Sequence, residues 1–593
     1  MSTKEMTYSD THAAAAETAA AAHHSSAHYF LEGLAELGLD FVFANFGTDH
    51  VSLIEELARW RKEGRAHTDV VLCPHENVAI HMAAGYAAVT GRGQAVMVHV
   101  DAGTANAAMG MHNLFRSRLP CMLIAGRAPF TIRGELEASR DNYVHFVQDP
   151  FDIASLVRPY VKWEYSLMSG VVTKEVLRRG HSVMQSDPPG PVYLTLPREV
   201  LAESWQASQV QSFPAERFGS VQLGGIDEAR AQAIATRLLE ADNPIAVTSY
   251  LGRRPEAVEA LVELAELAGV RVFDFIPTQM NFPRNSPCFG GFDPAEAQRG
   301  ADVGLLLDVD VPWLPQFVRE NTALRWVHVD VDPIKKDFPM WGFATDLRVQ
   351  ADCASVLRQV ARLVRAQADA GFHARVKARI ASWAAAGQAR RDQAARLADH
   401  PGERGAISPA FVCAAVGRLL DPQDIVVNEA VRNMPAVWNQ IPRSQPSTLI
   451  GSAGGGLGYS GGMALGAKLA KPNVRVVQIV GDGGFHFSTP DSVYAVAQRY
   501  RLAILTIVLD NGGWQAVKDA VLRVYPDGSA AQTDDYQARL QGPQRHFEKI
   551  GQAFGAYGER VDDPMELEAA LARALAAVDS GQAAVLNVQV GLQ

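Results

Sequence analysis

Two apolar runs near the carboxyl terminus each end in a small polar cluster. Residues 476–480 lead into Gly-Asp-Gly-Gly, which contains Asp482, and residues 502–509 lead into Asp-Asn-Gly-Gly, which contains Asn511 and Gly513. Both runs are typical of strands covered on both faces, and the stretch between them has the length of a helix, which predicts a βαβ unit. The carboxyl ends of neighbouring parallel strands share one edge of a sheet, so Asp482 and Asn511 should meet there.

The residue types in these clusters suit a magnesium site. The carboxylate of Asp482, the amide oxygen of Asn511 and the backbone carbonyl of Gly513 are hard oxygen ligands. Mg²⁺ with so few protein ligands completes its shell with phosphates, and Gly483 and Gly484 would let phosphates approach the backbone where the following helix begins. The alternative is an ordinary strand-to-helix turn, because a single Gly-Asp-Gly is common. The second cluster at the neighbouring strand favours the metal site.

Length and composition limit the class of protein. A chain of 593 residues should hold about three or four domains. The net charge of −10 without long charged runs argues against a nucleic-acid partner or an anionic membrane. Five scattered cysteines without a CxxC pair, and no apolar run of transmembrane length, predict a cytoplasmic protein. Residues 1–26 lack the features of a secretion signal and are predicted to be a disordered tail.

Three segments of similar size alternate strand and helix patterns. This alternation predicts an α/β fold of three doubly wound parallel-sheet domains, at residues 27–200, 223–385 and 406–593. A polar connection around residues 202–223 and a charged, alanine-rich stretch around residues 388–405 would separate them.

The first segment also places polar residues at its strand ends. Its predicted strands are followed by Thr48, by Glu76, by His99 and by Arg127, all on the carboxyl edge where α/β sheets build sites. Glu76 begins the helix "ENVAIHMAAGYAAVTG", where a carboxylate also favours the helix dipole. Helix capping is therefore the alternative role for Glu76.

Four motifs together resemble a known enzyme family. "PHENVAIHMAAGYAAVTG" and "HVDAGTANAAMG" in the first segment, and "GSAGGGLGYSGGMALGAKLA" and "GDGG…LDNGGW" in the last, resemble thiamine-diphosphate-dependent 2-oxo acid decarboxylases and acetolactate-synthase-like enzymes. The motifs occur in the family's order and spacing, over nearly the whole chain after the tail. The resemblance implies a pyrimidine-binding first domain, a chiefly structural central domain and a last domain that binds the diphosphate through Mg²⁺.

The resemblance also implies roles for single residues. Glu76 would hydrogen-bond the pyrimidine ring nitrogen and favour the imino tautomer that takes the proton from the thiazolium carbon. Leu457, in "GGGLGY", would hold the cofactor bent, and the Gly455 carbonyl would accept from its exocyclic amino group. The alternative for Leu457 is a hydrophobic core residue.

The stretch around His99 resembles benzoylformate decarboxylases in particular. His99 would then lie beside the substrate and relay protons, the alternative being a buried core histidine. Thr48 occupies the position of a serine that contacts the substrate carboxylate, but it could equally cap a helix. Asp101 stands where the family has a small residue, and Val517 follows the metal turn, so both are candidates for the substrate pocket.

The chain also departs from benzoylformate decarboxylases in its middle domain. Those enzymes contribute a second histidine from the middle domain, and the comparable stretch "DVDVPWLPQFVREN" has none, which puts aromatic substrates in doubt. Arg432, after "VVNEA", is predicted either to bind a diphosphate or substrate anion or to form a surface ion pair. His50 and His486 adjoin motif positions; solvent exposure is expected for both, and lining the pocket is the alternative.

The predicted function is the non-oxidative decarboxylation of a small 2-oxo acid through an acyl-anion intermediate, with release of an aldehyde. The alternative is a carboligase that transfers the acyl anion to a second carbonyl; Gln148, in "HFVQDPFDI", supports it because it resembles a glutamine-acid pair of acetolactate synthases. A nucleotide-binding oxidoreductase is less favoured because no GxGxxG follows a strand. FAD as a structural passenger is not supported by a motif and stays open.

The resemblance further implies a homodimer or homotetramer. The pyrimidine-binding domain of one chain would face the diphosphate-binding domain of another, so that Glu76 serves a cofactor anchored by the partner's Asp482. A single chain would then hold no complete site.

Overall fold

The computed structural model describes residues 22–540, 542 and 545–591. The chain divides into two compact units, one of residues 22–87 and 92–221 and one of residues 88–91 and 222 onward. One six-stranded parallel sheet lies in the first unit and two lie in the second, each with helices between its strands. The predicted α/β class with several parallel sheets is confirmed. The three predicted domain ranges contain one of these sheets each, and their boundaries stay predictions.

The first unit is built around a single sheet. The strands of residues 22–221 are β1 (His23–Ser25), β2 (Phe41–Ala44), β3 (Asp69–Leu72), β4 (Gln94–Val98), β5 (Cys121–Arg127), β6 (Glu164–Ser166), β7 (Pro191–Pro197) and β8 (Ser204–Gln206). The α-helices are α1 (Ser26–Glu36), α2 (Val51–Glu63), α3 (Glu76–Thr90), α4 (Val100–Arg116), α5 (Val144–Val147), α6 (Thr173–Gln185) and α7 (Arg198–Ala202).

The strand order of this sheet is β3-β2-β4-β5-β7-β6. The residues of β4 and β7 are wholly buried, as expected for a parallel sheet covered on both faces. The order reverses between β2 and β4, and ligands of open α/β sheets bind at the carboxyl ends beside such a reversal. Thr48 follows β2 and His99 follows β4, so both lie at this point.

Residues 22–26 of the predicted disordered tail are ordered in the structure. Most of it lies outside the described residues, but β1 pairs in antiparallel register with β8, His23 opposite Gln206. The Ser25 side chain then caps α1 by accepting from the His28 N–H at 3.2 Å. The prediction was wrong for these last residues because β8 lies about 180 positions away, within a stretch that reads as a polar connection.

The second unit contains two six-stranded sheets and one two-stranded sheet. Its strands are β9 (Ile245–Thr248), β10 (Arg271–Asp274), β11 (Phe289–Gly291), β12 (Val303–Leu307), β13 (Arg325–Asp330), β14 (Leu347–Gln350), β15 (Gly402–Glu403), β16 (Ala406–Ile407), β17 (Ile425–Glu429), β18 (Leu449–Ile450), β19 (Val476–Gly481), β20 (Leu505–Asp510), β21 (Tyr557–Val561) and β22 (Ala584–Gln589). Its α-helices are α8 (Glu228–Glu240), α9 (Pro255–Ala268), α10 (Ala295–Gln298), α11 (Cys353–Gln367), α12 (Ala370–Ala398), α13 (Pro409–Leu419), α14 (Met434–Gln440), α15 (Ser460–Ala470), α16 (Asp482–Phe487), α17 (Pro490–Tyr500), α18 (Gln515–Val524), α19 (Ser529–Thr533), α20 (Glu548–Ala553) and α21 (Leu567–Asp579).

The two six-stranded sheets of this unit differ in connectivity, and β15 pairs with β16 in the two-stranded sheet. The first has the order β11-β10-β9-β12-β13-β14, which is that of dinucleotide-binding folds. The second has the order β18-β17-β19-β20-β22-β21, which repeats the connectivity of the sheet in residues 22–221. One continuous cluster of buried apolar residues runs through both sheets of the unit. The predicted connection at residues 388–405 starts inside a helix, because α12 continues to Ala398.

The βαβ unit at residues 476–510 contains two helices where the sequence predicted one. β19 and β20 are parallel neighbours, with Val477 opposite Leu505. Between them α16 ends at Phe487 and α17 begins at Pro490. Thr489, whose φ is +51°, leaves the right-handed helical conformation, which the following proline disfavours in the residue before it.

Within the described ranges, no helix is long and apolar enough to cross a membrane. All five cysteines are buried thiols without a disulfide.

Candidate active site

The end of β19 meets the turn after β20. Asp482, only 3% exposed, accepts from the Gly483 N–H at 2.9 Å and from the Gly512 N–H at 2.8 Å. The turn needs a glycine at position 512, where φ is +86°. Asn511 Oδ1 accepts from the Gly513 N–H at 3.2 Å, and the Gly513 carbonyl accepts from the Gln515 N–H at 3.0 Å. The structure thus brings together the three predicted oxygen donors.

The charge balance of this turn favours a bound cation. Asp510, at the end of β20, is buried, and its Oδ1 pairs with Arg545 Nε at 2.7 Å. Its Oδ2 has no hydrogen-bond partner within the described part of the chain. Burial and the neighbouring Asp510 carboxylate raise the pKa of Asp482. One arginine faces two buried carboxylates, so the donor set fits a divalent cation such as Mg²⁺.

A cavity of about 170 Å³ lies against this turn. Its lining includes most of the site residues predicted in the last segment: Arg432, Leu457, Asp482, Gly483, Gly484, Asn511, Gly513 and Val517. Gly455 lies two residues before Leu457 in the same loop. Val517 is on α18 and is 47% exposed, and Trp514 closes the other side of the turn.

The position of Arg432 is compatible with both of its predicted roles, an ion pair and the binding of an anion. Its Nε forms an ion pair with Asp519 of α18, and the residue also lines the cavity. The ion pair holds the short turn Val431–Asn433 against α18. Arg432 is therefore placed to face an anion in the cavity while it is partly neutralised.

A buried glutamate that the sequence reasoning missed holds the glycine-rich loop. Glu429, at the end of β17, accepts from the Gly458 N–H, from the Ser460 N–H at 2.9 Å and from Ser460 Oγ at 2.5 Å. Burial raises the pKa of Glu429 to about 7, although these donors lower it. Gly458 has φ of +87°, and a side chain there would meet the Phe487 carbonyl at 2.2 Å. Leu457 is thereby fixed at the cavity wall.

The hydrogen bonding continues from Ser460 across the sheet. Ser460 Oγ accepts from Gln478 Nε2, Gln478 Oε1 accepts from Thr506 Oγ1, and Thr506 Oγ1 accepts from the Tyr494 hydroxyl, each at 2.9 Å. All four side chains are buried. A satisfied buried network of this kind specifies one arrangement of the strands that carry the site.

In the first unit, two amides hold Glu76 at the start of α3. Asn45 Nδ2 donates to Oε1 at 3.1 Å, and Asn106 Nδ2 donates to Oε2 at 3.0 Å. Asn106 is the asparagine of "HVDAGTANAAMG", and Asn45 follows β2 directly. The sequence reasoning missed both, although an asparagine inside a recognised motif is a usable signal. Both carboxylate oxygens are thus oriented by side chains of other elements.

His99 lies between two polar side chains. It follows β4 and is 23% exposed at the side chain. Its Nδ1 is 2.5 Å from Asp49 Oδ1, and its Nε2 is 2.9 Å from Gln148 Oε1. The hydrogen bond with Asp49 raises the pKa of His99 by more than burial lowers it. Val100, the next residue, is buried and has φ of +38°, a strain of roughly 1–3 kcal/mol of the kind found at functional sites.

Asp49 is the second residue that sequence reasoning did not single out. It is buried, and although burial raises its pKa, the imidazoles of His50 and His99 lower it well below its usual range. His50 is wholly buried, so the expected solvent exposure is wrong: its Nδ1 accepts from the Gly47 N–H at 3.0 Å and closes the turn. His486 is exposed, as expected.

Thr48 is exposed and faces a histidine. It opens the short turn Thr48–His50, whose N-cap is Gly47, so its hydroxyl does not cap that turn. Thr48 Oγ1 is 3.3 Å from Nε2 of His145, a buried residue of α5. Asp101 lies in the first turn of α4, where its Oδ1 accepts from the Ala102 N–H at 2.8 Å. Its charge also raises the pKa of His99, after the larger effect of Asp49.

Comparisons with known proteins match both ends of the chain. Residues 24–156 match the N-terminal TPP binding domain of thiamine pyrophosphate enzymes, and residues 433–588 match the C-terminal TPP binding domain. The first range contains Thr48, Glu76 and His99. The second contains the turn at Asp482 and Asn511.

Relatives cover almost the full length. Benzoylformate decarboxylase of Pseudomonas aeruginosa is 26% identical over 565 residues, which are 93% of this chain and 96% of the relative. The acetolactate synthase isozyme 3 large subunit of Escherichia coli is 24% identical over 587 residues, 95% of each chain. The solved structure of the thiamine diphosphate-dependent 4-hydroxybenzoylformate decarboxylase of Rhodococcus jostii RHA1 shares the fold, with a TM-score of 0.77 at 20% identity over 96% of this chain and all of that chain. With both TPP-binding domains present, the chain belongs to the thiamine pyrophosphate enzymes.

Proposed function

We propose that this protein is a thiamine-diphosphate- and Mg²⁺-dependent lyase that decarboxylates a 2-oxo acid and releases an aldehyde. The observation that carries the proposal is the placement of His99. It stands at a strand end beside the reversal in strand order, partly exposed and held by Asp49 and Gln148. A histidine in that position can move protons near neutral pH. The benzoylformate decarboxylase relative supports the same assignment.

The residues of the last segment would hold the cofactor. When bound, thiamine diphosphate supplies an electron sink for the electrons that the departing CO₂ leaves behind. Asp482, Asn511 and Gly513 would ligate Mg²⁺, and Gly483 and Gly484 would lie beside the diphosphate. The charge excess at Asp482 and Asp510 supports a cation at this turn. Leu457 and the Gly455 carbonyl would contact the rings, and Arg432 would face the diphosphate or the substrate anion.

The residues of the first segment would handle protons. Glu76, oriented by Asn45 and Asn106, would hold a proton against the pyrimidine ring nitrogen. His99 would donate a proton where the aldehyde forms. Thr48 would bind the substrate carboxylate.

The neighbouring side chains would shape the substrate pocket. Val517 would contact the acyl group from α18, and the charge of Asp101 would bias the pocket against a second carboxylate.

A carboligase is the second candidate, and Gln148 favours it. Its side-chain oxygen lies 2.9 Å from His99 Nε2, so it competes for the proton that His99 would give to the acyl anion. An acyl anion that is protonated slowly survives to meet a second carbonyl compound. The acetolactate synthase relatives are consistent with that outcome.

The side chains at the strand-order reversal of the middle sheet argue against bound FAD. At the carboxyl ends of β9, β12 and β13, the buried Lys335 Nζ donates to Asp330 at 2.7 Å, to Asp310 at 2.8 Å and to the Tyr250 hydroxyl at 2.9 Å. This cluster fills the place where a dinucleotide would bind in such a sheet, and its carboxylates would repel phosphates. The visible absorbance of the purified protein decides whether a flavin is present.

We further propose a cytoplasmic homodimer or homotetramer with sites shared between chains. The five free, buried cysteines support a reducing compartment. The shared site follows from the family resemblance, in which two chains complete each site.

A substrate panel tests the proposed reaction. The protein, loaded with thiamine diphosphate and Mg²⁺, is incubated with aliphatic and aromatic 2-oxo acids, with and without acceptor aldehydes, and products are identified by mass. We expect CO₂ release with an aldehyde product for at least one acid. Ligated ketols as the main product would favour the carboligase. Neither CO₂ release nor ligation with any substrate would overturn both.

A further inference from the structure

Two histidines flank the turn Thr48–His50, and their surroundings differ. His99 lies on the Asp49 side, with its ring nitrogens 2.5 Å from Asp49 Oδ1 and 2.9 Å from Gln148 Oε1. His145 lies on the Thr48 side, with Nε2 3.3 Å from Thr48 Oγ1. Neither Asp49 nor His145 stands out in the sequence, because they are 50 and 46 positions away from His99 and belong to other elements.

The contacts of His99 define a charged ring. Both ring nitrogens face oxygen atoms, one of a carboxylate and one of a side-chain amide. Only the imidazolium carries a proton on each nitrogen and can donate to both oxygens. The competing donor to the Asp49 carboxylate would be His50, whose Nδ1 lies 3.2 Å from Asp49 Oδ1, but that Nδ1 accepts from the Gly47 N–H and so carries no proton to donate. His99 is therefore the ring that donates a hydrogen bond to the Asp49 carboxylate.

The contacts of His145 define a neutral ring with the proton on Nε2. The Asp141 backbone N–H donates to Nδ1 at 3.5 Å, so Nδ1 is an acceptor. The Asp141 carboxylate lies nearby but is held by Arg198 at 2.9 and 2.8 Å. The protonated Nε2 then donates to Thr48 Oγ1. The Thr48 hydroxyl proton is left free to point into solvent or toward a ligand.

We propose that Asp49 and His145 are positioning residues for the reaction: Asp49, with Gln148, holds His99 as a proton-donating imidazolium, and His145 donates to Thr48 Oγ1 so that the Thr48 hydroxyl donates to the substrate carboxylate. This inference rests on the proposed function for the reaction itself. It also assigns a second histidine to the site from residues 22–221, although the middle segment offers none where the related decarboxylases have one.

The electrostatic surroundings agree with opposite charge states. The groups that raise the pKa of His99 are Asp49 first, then Gln148 and Asp101, against the lowering by burial. Burial and then Arg198 and Arg140 lower the pKa of His145, against Asp141 and Asp49. Pairs of groups whose surroundings move their pKa values apart are typical of acid and base partners in enzymes.

The first test measures the protonation of His99 without any substrate. Histidine rings are labelled with ¹³C, and each pKa is read by NMR titration of the full-length protein; His99→Ala identifies the signal. In Asp49→Asn, which keeps the shape of the side chain, we expect the pKa of His99 to fall, because the carboxylate that favours the charged ring is gone. The proposal predicts a smaller fall in Gln148→Leu. An unchanged His99 pKa in both variants overturns the Asp49 assignment.

The same variant is then followed by kinetics with the substrate that the panel identifies. Activity that needs the imidazolium is present at low pH and is lost as the pH rises through the pKa of His99. In Asp49→Asn the loss should therefore begin at a lower pH, with kcat reduced by about tenfold or more and cofactor affinity unchanged. A lower kcat with an unshifted pH profile would mean that Asp49 is merely structural.

The second test is a double-mutant cycle on His145 and Thr48. His145→Leu removes the N–H donor, and we expect KM to rise about tenfold while kcat changes less, since the loss concerns the carboxylate contact. His145→Gln keeps an N–H donor and should restore most of the KM. In a Thr48→Val background, His145→Leu should have no further effect on KM. Additive effects of the two changes overturn the proposed coupling.

These tests separate failure of the inference from failure of the proposed function. The NMR titration in Asp49→Asn is read without turnover, so it stands even if the panel shows no activity. A shifted His99 pKa in a protein that decarboxylates no 2-oxo acid would retain the Asp49 contact and reject the reaction. An active enzyme whose His99 pKa is unchanged in Asp49→Asn would retain the proposed reaction and reject the Asp49 contact.

Discussion

At the scale of single residues, Asp482 decides whether the cofactor is held. Asp482→Ala removes the one carboxylate of the proposed Mg²⁺ set, while Asp510 keeps its pair with Arg545. We expect thiamine diphosphate affinity at fixed Mg²⁺ to fall by at least about 100-fold, because the diphosphate is bound mainly through the metal. Trp514, beside the turn, reports binding by its fluorescence. Asp527→Ala, an exposed carboxylate outside the cavity, is the matched control.

One result would contradict the assignment of the turn at Asp482 as a Mg²⁺ site. If Asp482→Ala binds the cofactor as tightly as the Asp527→Ala control, and EDTA does not weaken either, the turn is only a strand-to-helix connection. Folding of both variants is checked by circular dichroism, so that an unfolded variant is not counted as a result.

His99 should affect turnover and leave cofactor binding intact. His99→Ala removes the proposed proton donor, and kcat should fall by roughly 100-fold or more, the usual contribution of a general acid. The carboxylate of Asp49 raises the pKa of His99 above its ordinary 6.5, so wild-type activity should persist to a pH above that value and then decline. The variant should lack this decline. His400→Ala, an exposed histidine, should match wild type in rate and pH profile.

At the scale of elements, the glycine-rich loop depends on a single carboxylate. Glu429 accepts from Gly458 and from both donors of Ser460, so one side chain at the end of β17 fixes the loop that carries Leu457. Glu429→Gln turns one acceptor into a donor that faces these donors. We expect a local loss of about 1–3 kcal/mol, the cost of a buried group left without its bond.

Hydrogen exchange measures that loss directly. Peptides covering residues 451–470 should exchange faster in Glu429→Gln, and cofactor affinity should fall with them because Leu457 is no longer held. The matched change Glu566→Gln lies on the surface of the same unit and should leave exchange at residues 451–470 as in wild type. Equal exchange in the two variants would show that the loop is held by its backbone alone.

Element positions were predictable where they depend on local pattern. The strand β4 and the helix α3 follow from an apolar run and from a long apolar stretch of helical length, and both appear where the sequence indicates. The break at Thr489 was missed, although Pro490 marks it locally. The pairing of β1 with β8 was not accessible, because it depends on two short strands far apart in sequence with no apolar pattern.

At the scale of the whole molecule, the candidate site also combines residues that the sequence indicates locally with residues that only the fold brings together. Some candidate residues could be singled out from the sequence: Asp482 by its place at a strand end, and Glu76 by the resemblance of its motif to a known family. Asp49, His145 and Glu429 could not, because their partners come from distant elements and a lone polar residue near a strand end has no signature. The fold positions these three residues by bringing strand ends together. A single sequence does not show which of the polar residues at those strand ends form hydrogen bonds with one another.

Complementation between two inactive variants tests the proposed shared site. Glu76→Gln and Asp482→Ala are mixed under conditions where subunits exchange. If Glu76 of one chain serves the cofactor anchored by the partner's Asp482, each mixed dimer holds one doubly damaged site and one intact site. With random exchange about half of the dimers are mixed, so activity should recover to roughly a quarter of wild type when the sites act independently.

The control for this experiment is a mixture that cannot form an intact shared site. Glu76→Gln is mixed with the double variant that carries both changes, and no activity should return, because every site then lacks the glutamate. Mass spectrometry of differently labelled chains verifies that exchange occurred in both mixtures. If exchange is complete and the first mixture stays as inactive as the control, Glu76 and Asp482 act within one chain. The cofactor assignment would survive that result, since it depends on the two residues and not on which chain supplies them.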